Sequence, residues 1–239
     1  MLMTSCVQKP QEQTENTNPP EIQQQITLPE KFEILYNTRS YNLTSSENAL
    51  PLIDVAYNYP TLDNTIGYDY IDTVNAELKK AADDLVASAE GQTENAQRLL
   101  DEKGEDYNVM SFDISFREGI NRNGLLSFSA DTYKYMGEGN PTDTAVSYNY
   151  DMKNGKKLAL SDILKGSAKE IEDMVVSLFS EAFEEIDKAQ LKAEAKNVKF
   201  CLTEQSLILY FDVYQVAPYA FGTPEIEFPY NDTDFKLDL

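Results

Sequence analysis

The chain contains no histidine and no tryptophan, and its two cysteines, Cys6 and Cys201, stand far apart in 239 residues. Without histidine there is no Ser-His-Asp or Cys-His nucleophile system. The His-rich zinc sites that generate a catalytic water are excluded with it. The cysteines form no Cys-x-x-Cys redox or zinc motif. Neither a Gly-x-Ser-x-Gly elbow nor a Gly-x-x-x-x-Gly-Lys-Ser/Thr phosphate loop occurs. No apolar run approaches the ~20 residues of a membrane-spanning helix. Basic residues are scarce as well. Lys and Arg total 20 against 41 Asp and Glu, a formal net charge of −21. Such a surface repels a phosphate backbone and anionic lipid, and attracts a cationic partner such as a basic protein. Acidic surfaces also serve solubility, so charge alone does not name a partner.

Hydrophobic residues make up 41% of the chain, enough to bury a core. The N-terminus reads Met1-Leu2-Met3-Thr4-Ser5-Cys6, apolar then small residues before a cysteine. This resembles the end of a bacterial lipoprotein signal, with Cys6 as the lipid-attachment residue, although a charged n-region and a full apolar h-region are missing. Residues 7–29 are rich in Gln, Glu, Thr, Asn and Pro, which predicts a disordered tether. A lipid on Cys6 would hold the tip at a membrane and the tether would give the body reach.

Beyond the tether, Phe32, Ile34 and Tyr36 alternate with polar residues, and Tyr41 and Leu43 continue after an expected turn. A second strand is expected over 53–59, ending at Pro60. Ile71, Val74, Leu78, Ala81, Leu85 and Ala89 recur at three- and four-residue steps, which predicts a helix over 69–90. A partly helical connection follows over 91–106. Phe112, Ile114 and Phe116 alternate, Gly119 to Gly124 makes a turn, and Leu126, Phe128 and Ala130 alternate on the return, a hairpin. Val146, Tyr148 and Tyr150 form another strand, with Asn154-Gly155 as a turn. Ser167-Ala168-Lys169-Glu170 reads as a capping box opening a helix whose apolar face runs from Ile171 through Phe179 to Ile186. The last strands are expected over 200–202, 207–214 and 225–228. Runs of consecutive strands argue for an α+β fold with helices packed on antiparallel sheets. A division near 143 gives two intimate subdomains, 30–142 and 143–239, each with one helix; one continuous domain is the alternative.

The stretch Tyr214-Gln215-Val216-Ala217-Pro218-Tyr219-Ala220-Phe221-Gly222 is the most distinctive in the chain. Together with Tyr148-Asn149-Tyr150-Asp151, Asn154-Gly155-Lys156-Lys157-Leu158, Leu160-Ser161-Asp162-Ile163-Leu164, Leu209-Tyr210-Phe211 and Ile226-Glu227-Phe228-Pro229-Tyr230, it resembles the C-terminal domain shared by the anti-sigma factor RsiV and the polysaccharide deacetylase PdaC. Residues 57–140 resemble the domain that usually precedes it. Members often carry a Gly-Gly-Ala-His-Gly-like turn where this chain reads Met136-Gly137-Glu138-Gly139-Asn140-Pro141, so any role of that histidine is lost here. The resemblance implies an extracytoplasmic α+β module, which in RsiV binds lysozyme, a basic protein, and in PdaC accompanies a separate catalytic domain.

Tyr214, Tyr219 and Phe221 are the expected partner-binding residues, since tyrosine offers rigid contact area with a polar tip. The competing reading of these rings is core packing. Asp151 and Asp162 suit Asx-turn or helix-cap roles, because no Asp-x-Asp-x-Asp calcium loop is present. Adjacent acids such as Glu184-Glu185 and Asp83-Asp84 diverge on a helix and form no dyad. Cys201 lies in an apolar strand and is expected as a buried free thiol. These readings lead to a non-catalytic, lipid-anchored, extracytoplasmic envelope protein without cofactor or metal. It binds a basic, lysozyme-like protein or an envelope polymer, and no nucleic acid. The alternative is a carboxylate-based enzyme or accessory module acting on cell-wall glycan.

Overall fold

The structure is a computed structural model that describes residues 27–230, 235 and 236. Cys6 and most of the expected tether lie outside these residues. Four strands and two helices come first: β1 (Ile34–Thr44), β2 (Pro51–Leu62), α1 (Asp69–Glu90), α2 (Thr93–Lys103), β3 (Met110–Arg122) and β4 (Leu125–Tyr135). Then follow β5 (Thr142–Asp151), β6 (Lys156–Lys157), α3 (Leu160–Ile163), α4 (Ala168–Ala182), α5 (Lys188–Glu194), β7 (Lys199–Leu202), β8 (Ser206–Tyr210) and β9 (Glu225–Pro229). β1 to β6 form one six-stranded sheet in sequence order, and β7, β8 and β9 form a three-stranded antiparallel sheet. The fold is α+β. The larger sheet takes β5, which spans residue 143, and β6 beyond it, so the sheet crosses the expected division.

β2 and β3 pair in parallel, the one parallel pair among the described strands. A parallel neighbour needs a long crossover, and α1 with α2 supplies it. α1 buries Ile71, Val74, Leu78, Ala82, Leu85 and Ala89 against the sheet, the face expected from sequence except that Ala82 takes the place of Ala81, which is half-buried. Each fully buried Leu, Ile or Val contributes about 1.5–3 kcal/mol relative to exposure. On its outer face the Lys79–Asp83 and Lys80–Asp84 pairs lie one turn apart. Beneath α1 lie Phe112, Ile114, Phe116, Phe128 and Tyr150, all buried in the first core.

The second core gathers Ile171, Val175 and Phe179 of α4, Leu191 of α5, and Leu202, Leu207 and Leu209 of the small sheet. It also takes Ile120 and Leu125 from the end of the β3–β4 hairpin. That hairpin turns at Asn123 (φ 55°) and Gly124 (φ 79°), a two-residue turn with both residues in the left-handed region. Gly119 is therefore not part of the turn, as expected from sequence, but of an irregularity in β3 between Glu118 and Asn121. A Cβ at residue 119 would lie 2.1 Å from Leu202 O, so glycine is required by the close passage of β7.

Several expectations shift. β1 runs through without the turn expected before Tyr41, because Thr38-Arg39-Ser40 offers no glycine or proline to break it. α4 opens on its capping box, with Glu170 N donating to Ser167 Oγ (3.3 Å) and Ser167 N to Glu170 Oε2 (2.7 Å). It ends at Ala182 rather than Ile186. Phe183 turns extended there, stacks beside Phe179 and lets Asp187 cap α5 through Ala189 N and Gln190 N. β8 stops at Tyr210, where a turn from Asp212 to Gln215 replaces the expected strand.

Candidate functional site

β3 alternates: Phe112, Ile114 and Phe116 are buried under α1, so Ser111, Asp113, Ser115 and Arg117 point to the opposite face. Strand register extends that face across the sheet. Ser40, Ala56, Asp113, Tyr133 and Asp143 form one row from β1 to β5, and Thr38, Asn58, Ser115, Asp131 and Ala145 form the next. Neighbouring strands lie about 4.8 Å apart, so the Tyr133 ring stands between two carboxylates. Asp54 adds a fourth carboxylate on the β2 side, hydrogen-bonded by Asn42. Arg117, two residues along β3 from Ser115, pairs with Asp131 at 2.5 Å. Partial burial raises the Asp113 pKa above its ordinary value. Asp131 and Asp143 are exposed and Tyr133 is 37% exposed. The face is acidic and rich in hydroxyls.

At one end the three-stranded sheet approaches this face and leaves a cleft of about 490 Å³. Arg117, Glu118, Ser129 and Asp131 line it from the large sheet, and Cys201, Tyr210 and Glu225 from the small one. Tyr210 and Ser147 share a hydrogen bond of 2.6 Å, and burial pushes the Tyr210 hydroxyl well above its ordinary pKa. Cys201 is a free, buried thiol 3.5 Å from Ser127 Oγ, and burial raises its pKa, which keeps it protonated and unreactive near neutrality. A groove of about 520 Å³ lies between α2 and the β1–β2 end, but its polar side chains are engaged along the helix, Arg98 with Glu102 and Gln97 with Asp101. Among the described residues no three His, Cys, Asp or Glu side chains group so as to hold a metal ion, and no helix is long and apolar enough to cross a membrane.

Of the residues singled out from sequence, Tyr214 and Tyr219 come together, rings stacked at 5.3 Å and 29°. Tyr214 has φ +68° and is 62% exposed. A bulky residue held in the left-handed region is strained, and strain of this kind concentrates at functional surfaces. Phe221 turns inward instead and meets Phe183 edge-on at 5.3 Å, against the second core. Asp212 accepts a hydrogen bond from Lys199, whose ammonium also reaches Ala145 O at 2.7 Å, so the turn bearing Tyr214 is tied to β5. Asp151 accepts from Asn154 N (3.0 Å), and Asp162 from Ala159 N and Lys156 Nζ (both 2.8 Å). Both acids thus hold local turns. Sequence reading missed the acidic face, because its members come from five strands and meet only through register.

Two family models match the chain. Residues 45–143 match the one described as deacetylase PdaC, and residues 153–231 match a protein of unknown function, DUF3298. The cleft lies where these stretches meet, with Arg117 and Asp131 in the first and Cys201, Tyr210 and Glu225 in the second. The peptidoglycan-N-acetylmuramic acid deacetylase PdaC of Bacillus subtilis (strain 168) is 24% identical over 180 residues, which cover 72% of this chain and 36% of that protein. The chain thus spans about a third of the length of that relative. A solved DUF3298-family structure from Bacteroides fragilis aligns with a TM-score of 0.62 at 15% identity, over 88% of this chain and 96% of that one. Another from Pseudomonas aeruginosa PAO1 aligns with a TM-score of 0.53 at 19% identity, over 85% and 92%. At such identities these likenesses establish the fold.

Proposed function

From a chain that carries a PdaC-like domain followed by a DUF3298 domain, the PdaC/RsiV-type architecture, we propose a non-catalytic, extracytoplasmic cell-envelope protein, lipid-anchored through Cys6, that binds a basic protein of lysozyme type on the open face of its large sheet. The observation that carries this reading is the Asp113–Tyr133–Asp143 row. It places an aromatic ring between two carboxylates on the open sheet face, a partner for Arg and Lys side chains through ion pairing and cation–π contact. Electrostatic complementarity of this kind sets association rate and specificity, and salt screens it. The stacked Tyr214–Tyr219 pair supplies a second rigid contact. That the curated relative acts on peptidoglycan supports a place at the cell wall.

The test is calorimetry of the full chain with lysozyme at low and moderate salt. Binding that weakens as salt rises, and weakens further in the Asp113→Asn/Asp143→Asn double variant, is the expected result. No binding, or binding indifferent to both salt and the double variant, overturns it. Salt-insensitive binding of soluble peptidoglycan fragments in the same assay would move the ligand to the wall polymer. The second reading, carboxylate chemistry on glycan, draws on Glu118, Asp131 and Glu225 in one cleft. Lys31 and Asn121 hold Glu118, and Arg117 holds Asp131. Two of the three carboxylates are thus already engaged by neighbours rather than standing as the free pair that glycoside hydrolysis requires. Binding is the better-supported function.

A further inference from the structure

Among the described residues β1 is an edge of the six-stranded sheet and pairs on one side, with β2. The hydrogen bond from Asp63 N to Glu33 O (3.1 Å) fixes the phase of that antiparallel ladder. Odd-numbered residues of β1 therefore direct N–H and C=O toward β2. Ile34, Tyr36, Thr38, Ser40 and Asn42 direct theirs outward.

The opposite edge is treated differently. β5 is flanked by Lys156 and Lys157 of β6, and the Lys199 ammonium already occupies Ala145 O. Lysines placed in this way block further strand pairing. β1 has no such device. Residues 34–44 contain no lysine, no proline and no acid, and their one charge is Arg39. The ladder is regular up to Leu43. Leu35 is 61% exposed and Tyr36 43%, a pair of large apolar side chains on a bare edge. In a chain with 41 acidic residues, this strand is where two copies can meet with little repulsion.

We propose that β1 pairs antiparallel with β1 of a second copy, joining two six-stranded sheets edge to edge. The regular part of β1 places the two-fold axis at Thr38. Thr38 then faces its own copy, Tyr36 faces Ser40 and Ile34 faces Asn42, all as hydrogen-bonded pairs of outward-directed residues. In the intervening positions Arg39 faces Asn37, and Tyr41 faces Leu35. Leu35 gains an aromatic neighbour, and no like charges oppose. An axis at Arg39 would set two guanidinium groups against each other, which is unfavourable.

Sedimentation equilibrium of the full chain across a wide concentration range tests the pairing. A dimer that grows with concentration, and strengthens when salt screens the −21 charges, is expected. Thr38→Pro removes an outward donor and leaves the β2 ladder intact, so it should give a folded monomer by circular dichroism. Asn37→Pro removes an inward donor and should lose stability instead. Amide exchange gives a readout that needs no variant. Tyr36, Thr38 and Ser40 amides should gain protection as concentration rises, while Leu35, Asn37 and Arg39 are protected throughout. A wild-type monomer at every concentration, association undiminished in folded Thr38→Pro, or free exchange at Thr38 where a dimer is present would each overturn the proposal. Its failure would leave the sheet-face reading untouched.

Discussion

Asp113 carries a stability cost that partial burial of its carboxyl imposes. Burial raises its pKa in the folded state. Between the ordinary aspartate range and that raised value the folded chain binds more protons than the unfolded one, so stability falls as pH rises through this window. The cost is fully present at neutral pH and fades out well below about pH 4, as both states become protonated. Asp113→Asn is therefore expected to raise the melting temperature at pH 7, with the gain shrinking to nothing in acid. Thermal melts at a series of pH values check this. A loss of stability at pH 7 would show that the carboxylate is held by contacts rather than exposed to a partner. Asparagines work differently. Asn121 accepts from Phe32 N (2.9 Å) and donates to Phe32 O (3.0 Å), so one amide does for Phe32 what a neighbouring strand would do. Asn75 does the same for Leu62, at 2.7 and 2.9 Å.

The capping box of α4 joins sequence to element directly. Ser167→Ala removes the side-chain acceptor for Glu170 N and should cost about 1 kcal/mol. Urea denaturation checks it, with Glu170→Gln expected to cost less because its amide oxygen can still accept. Patterns of this sort were readable because they are local. The three-to-four spacing of α1 and the alternation of Phe112, Ile114 and Phe116 each reflect one face meeting one core. What was not readable depends on distant partners. The parallel β2–β3 pair is set by where α1 and α2 return the chain, and nothing in residues 53–59 announces it. α5 begins after its cap Asp187 because Phe183 and Ile186 break from α4 to reach the second core, a tertiary demand that overrides a continuous apolar stripe. Of the site, the Tyr214–Tyr219 pair was legible as an aromatic cluster. The Asp113–Tyr133–Asp143 row was not, since its members are 20 and 10 residues apart in sequence and adjacent only in register.

At the scale of the molecule, the two sheets meet through Asn149. Its Nδ2 donates to Phe200 O (2.8 Å), and its Oδ1 accepts from Ser127 Oγ (2.7 Å) and Leu202 N (3.3 Å). Asn149→Ala would take from Phe200 O its side-chain donor, at about 1–3 kcal/mol, while Leu202 N keeps Ser127 Oγ at 3.3 Å. Unfolding followed by tyrosine fluorescence and by far-ultraviolet circular dichroism should give one coincident transition for the parent chain, since both sheets share this joint. The variant should show a lower midpoint. An unchanged midpoint would mean that the joint is held elsewhere. Asn149, Asn121 and Asn75 have one property in common: none of these amides titrates, and none is an ion that salt can screen. Acid and ionic strength therefore leave these three amides as they are and act instead on the ionic tie from Lys199 to Asp212.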